Sequence, residues 1–243
     1  VGYLESLQGR TLIVAGSAGG VGSAVVAHLL HAGSFVIGLD RRLPALSIDP
    51  GARRQDIQVD LTDPLAVQEV VDQLARPGGV IHGAVFCAGI NVPGRSAVQL
   101  SVADWQRLVD ANLSAGFFLT RALLPHLPAA GGDVIFITSV SARWRDQSGP
   151  GYQAAKAGLD ALSQALASEL SDRGHRFTSV LPGLINTPLL DQRAVPPSKE
   201  IRDQALLPQD IAVLCGLILS FPRRVSIPEV VVLPRALQAP GRT

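Results

Sequence analysis

Tyr152 and Lys156 stand four residues apart at the start of a helical run, so their side chains project from one face, one turn apart. A neutral tyrosine is too weak an acid to move protons efficiently at pH 7. A neighbouring ammonium lowers its pKa and can also hold a ribose hydroxyl. The same spacing alone also describes two ordinary surface residues. What distinguishes the pair is its company. Ser139 ends a short apolar strand, where its hydroxyl can hydrogen-bond a substrate carbonyl oxygen. Asn112 lies mid-helix, a position its propensity disfavours, which points to a local role or to a side chain satisfied by nearby backbone. The two readings are compatible.

These residues need a frame to hold them together. Its first element is the stretch Thr11 to Gly22, where the apolar run Leu12-Ile13-Val14-Ala15 reads as a buried strand. Gly16, Gly20 and Gly22 then allow a tight turn and a close approach of backbone to ligand. Val21 begins a helix, whose unpaired N–H groups and positive dipole end favour a phosphate there. Strand before and helix after make that phosphate a dinucleotide pyrophosphate. A second strand from Ser34 ends at Asp40, about 20 residues on, where a ribose-binding carboxylate is expected. Its acceptors suit free ribose hydroxyls and its charge repels a 2′-phosphate. Arg41 and Arg42 pull the other way, or Arg41 lies on the adenine face. NAD is therefore expected, with NADP the alternative.

Further strands are expected at 55–59, 80–86, 134–138, 177–181 and 230–233. Helices are expected at 64–74, N-capped by Asp63 with Pro64 at its first position, and at 101–125, 152–170 and 210–219. Loops are expected over 43–54 and at Pro77-Gly78-Gly79. Alternating strand and helix with no linker or repeat predict a single α/β domain over 1–243, a doubly wound, mainly parallel sheet in three α/β/α layers. Ligands in such sheets gather beyond the strands' carboxyl ends, where Asp40, Asp60, Gly89, Ser139 and Pro182-Gly183 all fall. Residues 184–207, with Pro188, Pro196 and Pro197 and no clean period, are expected to form a mobile lid.

With these residues in place, the chain resembles the short-chain dehydrogenase/reductase family in its single-domain branch. The matching motifs run over nearly the whole chain: Ala15-Gly16-Ser17-Ala18-Gly19-Gly20-Val21-Gly22, Asp60-Leu61, Cys87-Ala88-Gly89, Asn112-Leu113, Ser139, Tyr152 to Lys156, and Pro182-Gly183. The resemblance implies that Tyr152 is the general acid or base, that Ser139 orients the carbonyl and that Lys156 binds the nicotinamide ribose. It further implies that Asn112 holds a water in a proton relay, that Asp60-Leu61 lines the adenine, and that Ile185 and Thr187 meet the nicotinamide carboxamide. Three positions depart from the family's usual pattern. Ala15 replaces a threonine. Cys87 replaces an asparagine, with a buried small residue preferred to a redox role. The tail Val231-Val232-Leu233-Pro234-Arg235 replaces a frequent Asp-Gly-Gly.

The expected activity is NAD(H)-dependent interconversion of a secondary alcohol and a ketone. The alternatives are an NADP(H)-dependent carbonyl reductase, an epimerase or dehydratase using bound NAD, and a dinucleotide sensor without catalysis. The chain has 243 residues, 47% of them hydrophobic and 17% charged, so it can bury a large core. A formal net charge of +1 without a long single-sign run argues against nucleic-acid and anionic-membrane partners, and no metal ligands cluster. Two isolated cysteines, Cys87 and Cys215, fit reduced thiols and a cytoplasmic setting. Apolar helix faces over 103–125 and 152–170 suit subunit packing, and relatives commonly form dimers or tetramers. Ser141, Arg143, Trp144, Arg145, Arg193, Lys199 and Arg202 are candidate anion binders, or simply solvated.

Overall fold

The computed structural model describes residues 3–43, 53–75, 79–193 and 195–237. Most of the loop expected over 43–54, the break at Pro77-Gly78 and the end of the tail lie outside these residues.

Seven parallel strands form one sheet in the order β3-β2-β1-β4-β5-β6-β7. They are β1 (Thr11–Ala15), β2 (Phe35–Asp40), β3 (Arg54–Gln58), β4 (Gly83–Phe86), β5 (Asp133–Ile137), β6 (Arg176–Pro182) and β7 (Glu229–Val232). Every residue of β4, β5 and β6 is buried, so β4 and the run 134–137 of β5 read as continuous apolar stretches rather than alternating ones, while Asp133, Arg176, Thr178 and Ser179 are buried polar residues. Edge strand β3 is Arg-Gln-Asp-Ile-Gln and is nowhere fully buried.

Helices cover both faces, giving the expected three layers. On one side α1 (Gly20–His31) and α7 (Pro208–Ser220) pack Val25, Leu29, Ile211 and Ile218 against Leu12, Val14, Val85 and Ile135. On the other, α2 (Pro64–Leu74), α4 (Ala115–Leu123) and α5 (Pro150–Leu170) pack Val67, Val71, Leu119 and Leu159 against Ile13, Ala84 and Phe136. The Asp63 side chain accepts from Leu65 N and Ala66 N, capping α2 as its sequence predicts. Strand order reverses between β1 and β4, and the crevice beyond their carboxyl ends is the place where such folds bind ligands.

One expectation needs correction. The helix predicted over 101–125 is split into α3 (Val102–Val109) and α4 by a π-helical turn over Asp110–Ser114. Asn112 explains the break: its Nδ2 donates to Leu108 O at 2.9 Å, taking the carbonyl four residues back that a regular turn gives to a backbone N–H. Its face is also not uniformly buried. Leu108 and Asn112 are fully buried, whereas Trp105 and Phe117 are 41% and 43% exposed. The segment 184–207 carries more structure than its sequence suggests. It holds a 3-10 turn (Pro188–Gln192) and a short helix, α6 (Lys199–Asp203). Asn186 N donates to Leu206 O (2.8 Å) and Leu206 N to Leu184 O (2.9 Å), tying its two ends together.

Candidate active site

Two adjoining cavities lie along the carboxyl edge of the sheet and share Cys87 and Gly89 as wall. The first is lined by Gly16, Gly19, Asp40, Arg41, Arg42, Asp60, Leu61 and Ala88, among others. Gly16 has φ +81°, and a Cβ there would come within 2.6 Å of Ala88 N. A Cβ on Gly22 would lie 2.0 Å from Gly16 O. Only glycine closes this turn so tightly. The helix that follows has no side-chain cap and no acidic residue in its first turn, so its N-terminal N–H groups stay available to an anion. An uncapped helix start beside a carboxylate-bearing cavity, continuous with a second cavity, fits a nicotinamide dinucleotide: pyrophosphate at the glycine turn, one ribose at Asp40, the far end beyond Gly89.

Asp40 does more than its sequence position suggests. Its Oδ2 accepts from Ala18 N and its Oδ1 from Arg42 N, each at 3.0 Å, so the carboxylate also fixes the glycine turn. Asp60 lines the same cavity, with Thr62 N and Thr62 Oγ1 donating to it at 2.9 and 2.7 Å. Those bonds hold its carboxyl below the usual range. Ser17 belongs to the turn, but its buried hydroxyl lies beneath Gly38 of β2, not in the cavity wall.

The second cavity gathers Ser139, Tyr152 and Lys156 with Pro182, Gly183, Ile185 and Thr187. Ser139 follows β5, while Tyr152 and Lys156 sit in the first turns of α5, so sheet and helix bring residues 13 and 17 positions apart into one wall. Lys156 is 3% exposed, and its Nζ donates to Ile137 O (2.9 Å) and lies 5.9 Å from the Tyr152 ring centroid. Burial pushes its pKa down to about 8. Burial likewise pushes Tyr152 up to about 12, against the hydrogen bond from Ser139; Asp146 adds to the rise and the positive charge of Arg193 opposes it. Asp146 and Arg193 thus act on the phenol with opposite signs, while Lys156, the cation the sequence points to, lies over the ring.

Asn112 sits behind this wall. Besides Leu108 O, its Nδ2 donates to Ile90 O (3.0 Å), and its Oδ1 accepts from Ile90 N (3.1 Å). Its amide is wholly engaged with backbone, so it locks the segment after Gly89 onto the π turn. A Cβ on Gly89 would lie 2.8 Å from Asn112 Oδ1 and 3.3 Å from Lys156 Nζ, which makes this glycine the hinge of the packing. Cys87 is mostly covered, and burial pushes its thiol well up, as expected of a packing residue rather than a redox one.

Of the seven candidate anion binders, only Ser141 and Arg193 line the cavity. Arg143 is paired with Asp160 and Glu229, Arg202 with Asp191, and Lys199 with Asp203. Four polar wall residues have no forerunner in the sequence reading: Asn91, Arg95, Asp146 and Ser148. Asp146-Gln147-Ser148 carried a readable signal, an aspartate accepting from the backbone two residues on (Ser148 N, 2.8 Å) just before the tyrosine helix. Arg95 and Asn91 carried none. Among the described residues no His, Cys, Asp and Glu group could hold a metal, and no helix is long and apolar enough to cross a membrane.

Comparison with known proteins agrees with this fold. The model for short chain dehydrogenases matches residues 10–196. Serine 3-dehydrogenase of Agrobacterium fabrum is 33% identical over 180 residues, covering 73% of this chain and 72% of the relative. Cyclohexanol dehydrogenase of Acinetobacter sp. (strain SE19) is 30% identical over 193 residues, 76% and 77% of the two chains. Among solved structures, the closed form of a serine dehydrogenase complexed with NADP+ superposes with a TM-score of 0.85 at 25% identity, covering 96% of this chain and 98% of the other. The motifs, the seven-stranded parallel sheet and these matches lead to one assignment: the chain belongs to the short-chain dehydrogenase family of oxidoreductases.

Proposed function

We propose that the protein interconverts a secondary alcohol and a ketone with NAD(H), using Ser139, Tyr152, Lys156 and Asn112. The observation that carries this reading is the meeting of Ser139, Tyr152 and Lys156 in a cavity that adjoins the glycine-turn cavity through Cys87 and Gly89. The bound nicotinamide supplies the hydride donor or acceptor. Tyr152, a phenol at neutral pH that burial pushes up to about 12, gives its proton to the carbonyl oxygen in reduction, and as the phenolate takes the hydroxyl proton in oxidation. Ser139 hydrogen-bonds the same oxygen, and it is oriented for this by Ser141 N, which donates to its Oγ (3.1 Å). Lys156, anchored on Ile137 O, binds the nicotinamide ribose. Asn112 positions the π turn and the backbone segment after Gly89. Ile185 and Thr187 face the carboxamide.

Asp40 in the wall of the first cavity supports NAD over NADP, since its charge opposes a 2′-phosphate. Arg41 and Arg42 line that cavity too and favour NADP as the second reading. Rates with each cofactor over a panel of secondary alcohols and ketones decide both points. Stoichiometric NADH formation supports the dehydrogenase reading; turnover without net NADH formation replaces it with an epimerase or dehydratase. The half-exposed Trp105 and Phe117 on α3 and α4 support self-association as a dimer or tetramer, which sedimentation tests. Two free cysteines support a reducing, cytoplasmic setting.

A further inference from the structure

The substrate end of the second cavity holds an arrangement that proton transfer does not use. Arg95, from the loop after β4, and Arg193, from the segment 184–207, both line it, and both are only partly exposed. Among the described residues neither guanidinium has a hydrogen-bond or ion-pair partner. The two act on each other as like charges, and the field of Arg193 reaches Tyr152. The cavity's one carboxylate, Asp146, is already engaged: Ser141 Oγ donates to its Oδ2 and Ser148 N to its Oδ1 (2.8 Å). Asp146 also acts on Arg193 as an opposite charge, but two guanidiniums drawn partly out of water around one carboxylate that is already engaged are costly in a folded chain unless a ligand completes them. Arginine's planar fork matches a carboxylate in paired hydrogen bonds. Leu184, Leu189, Leu190 and Val140 supply aliphatic wall to the same cavity.

We infer that the substrate is a hydroxy acid or keto acid, whose carboxylate is bound by Arg193 and Arg95 while its hydroxyl or carbonyl oxygen meets Tyr152 and Ser139. Two arginines against one aspartate leave a single positive charge beyond Lys156, which suits a monoanionic carboxylate better than a dianionic phosphate. The inference rests on the dehydrogenase reading, but its test separates the two.

Cyclohexanecarboxylate and cyclohexanecarboxamide, near-isosteres differing in charge, are titrated calorimetrically into the protein holding NADH. A panel of secondary hydroxycarboxylates and their primary amides is assayed for turnover in parallel. The wild type is expected to prefer acid over amide by roughly ten- to hundred-fold in affinity and in kcat/KM. Arg193→Gln and Arg95→Gln each shrink that ratio, and Arg193→Lys restores part of it. Because Arg193 also acts on Tyr152, the acid-to-amide ratio is the quantity read, not the absolute rate. Equal affinity for acid and amide, or a ratio unmoved by both Gln variants, overturns the inference. Turnover confined to neutral alcohols overturns it while leaving the dehydrogenase reading intact. Absence of hydride transfer across the panel with either cofactor overturns that reading instead, and the binding ratio still decides the arginines.

Discussion

Arginines at the two edges of the sheet are treated in opposite ways. At the amino edge Arg176 is 9% exposed and saturated. It donates to Asp133 at 2.6 and 3.1 Å and to the carbonyls of Phe221, Pro222 and Val225 at 2.9 to 3.1 Å. Asp133 also receives Arg223 at 2.8 Å and lies 3.6 Å from Arg10. At the carboxyl edge Arg95 and Arg193 face a cavity with no such partners among the described residues. A guanidinium whose three nitrogens all bond inside the fold joins β5 and β6 to the turn before β7. One whose donors are left open is held for something that arrives from solution. Changes at the amino edge are therefore expected to cost stability and spare chemistry, and changes at the carboxyl edge the reverse.

The largest effect that tests this contrast is at Tyr152. Tyr152→Phe should lower turnover by about 100- to 10,000-fold, the usual contribution of a positioned general acid or base, with the thermal midpoint nearly unchanged. Near-normal turnover would remove the proton-transfer role. Next is Asp133→Ala at the opposite edge, which breaks a buried ion network and should cost about 3–5 kcal/mol in urea unfolding. The protein that remains folded should keep its kcat. A large loss of kcat with stability intact would break the comparison. Asp40→Ser should move the NAD-to-NADP preference in kcat/KM toward NADP by about tenfold, the scale of one charge-assisted contact. An unchanged ratio would pass specificity to Arg41 and Arg42. The remaining test is pH. Tyr152 lies at about 12, so its deprotonated fraction grows with pH across the neutral and mildly alkaline range. Alcohol oxidation should then climb by up to about tenfold per pH unit from 7 to 9, while ketone reduction, which uses the protonated phenol, stays flat there. An oxidation rate already level at pH 7 would place the working pKa of Tyr152 below 7.

The two cavities also differ in how far they can be read from sequence. Gly16, Asp40 and Asp60 were all legible, because each obeys a rule local to one strand and its turn. A glycine is demanded by φ +81°, and an acid follows the second strand. Tyr152 and Lys156 were legible as a pair through helix spacing alone. Arg95 was not legible, since nothing near it in sequence says that its loop returns to the tyrosine. Nor was the pairing of Arg143 and Arg202 with Asp160, Glu229 and Asp191, which removes both from the list of anion binders.

By itself the sequence determined the parallel sheet, the glycine turn and the helix that carries Tyr152, because strand burial, backbone torsion and helix spacing act over a few residues. Tertiary structure alone decided which charges meet. It split the long helix at Asn112, whose amide reaches across 22 positions to Ile90. It saturated Arg176 at one edge and left Arg193 open beside Tyr152 at the other. Electrostatics and desolvation depend on distance through space, and separation along the chain does not report that distance.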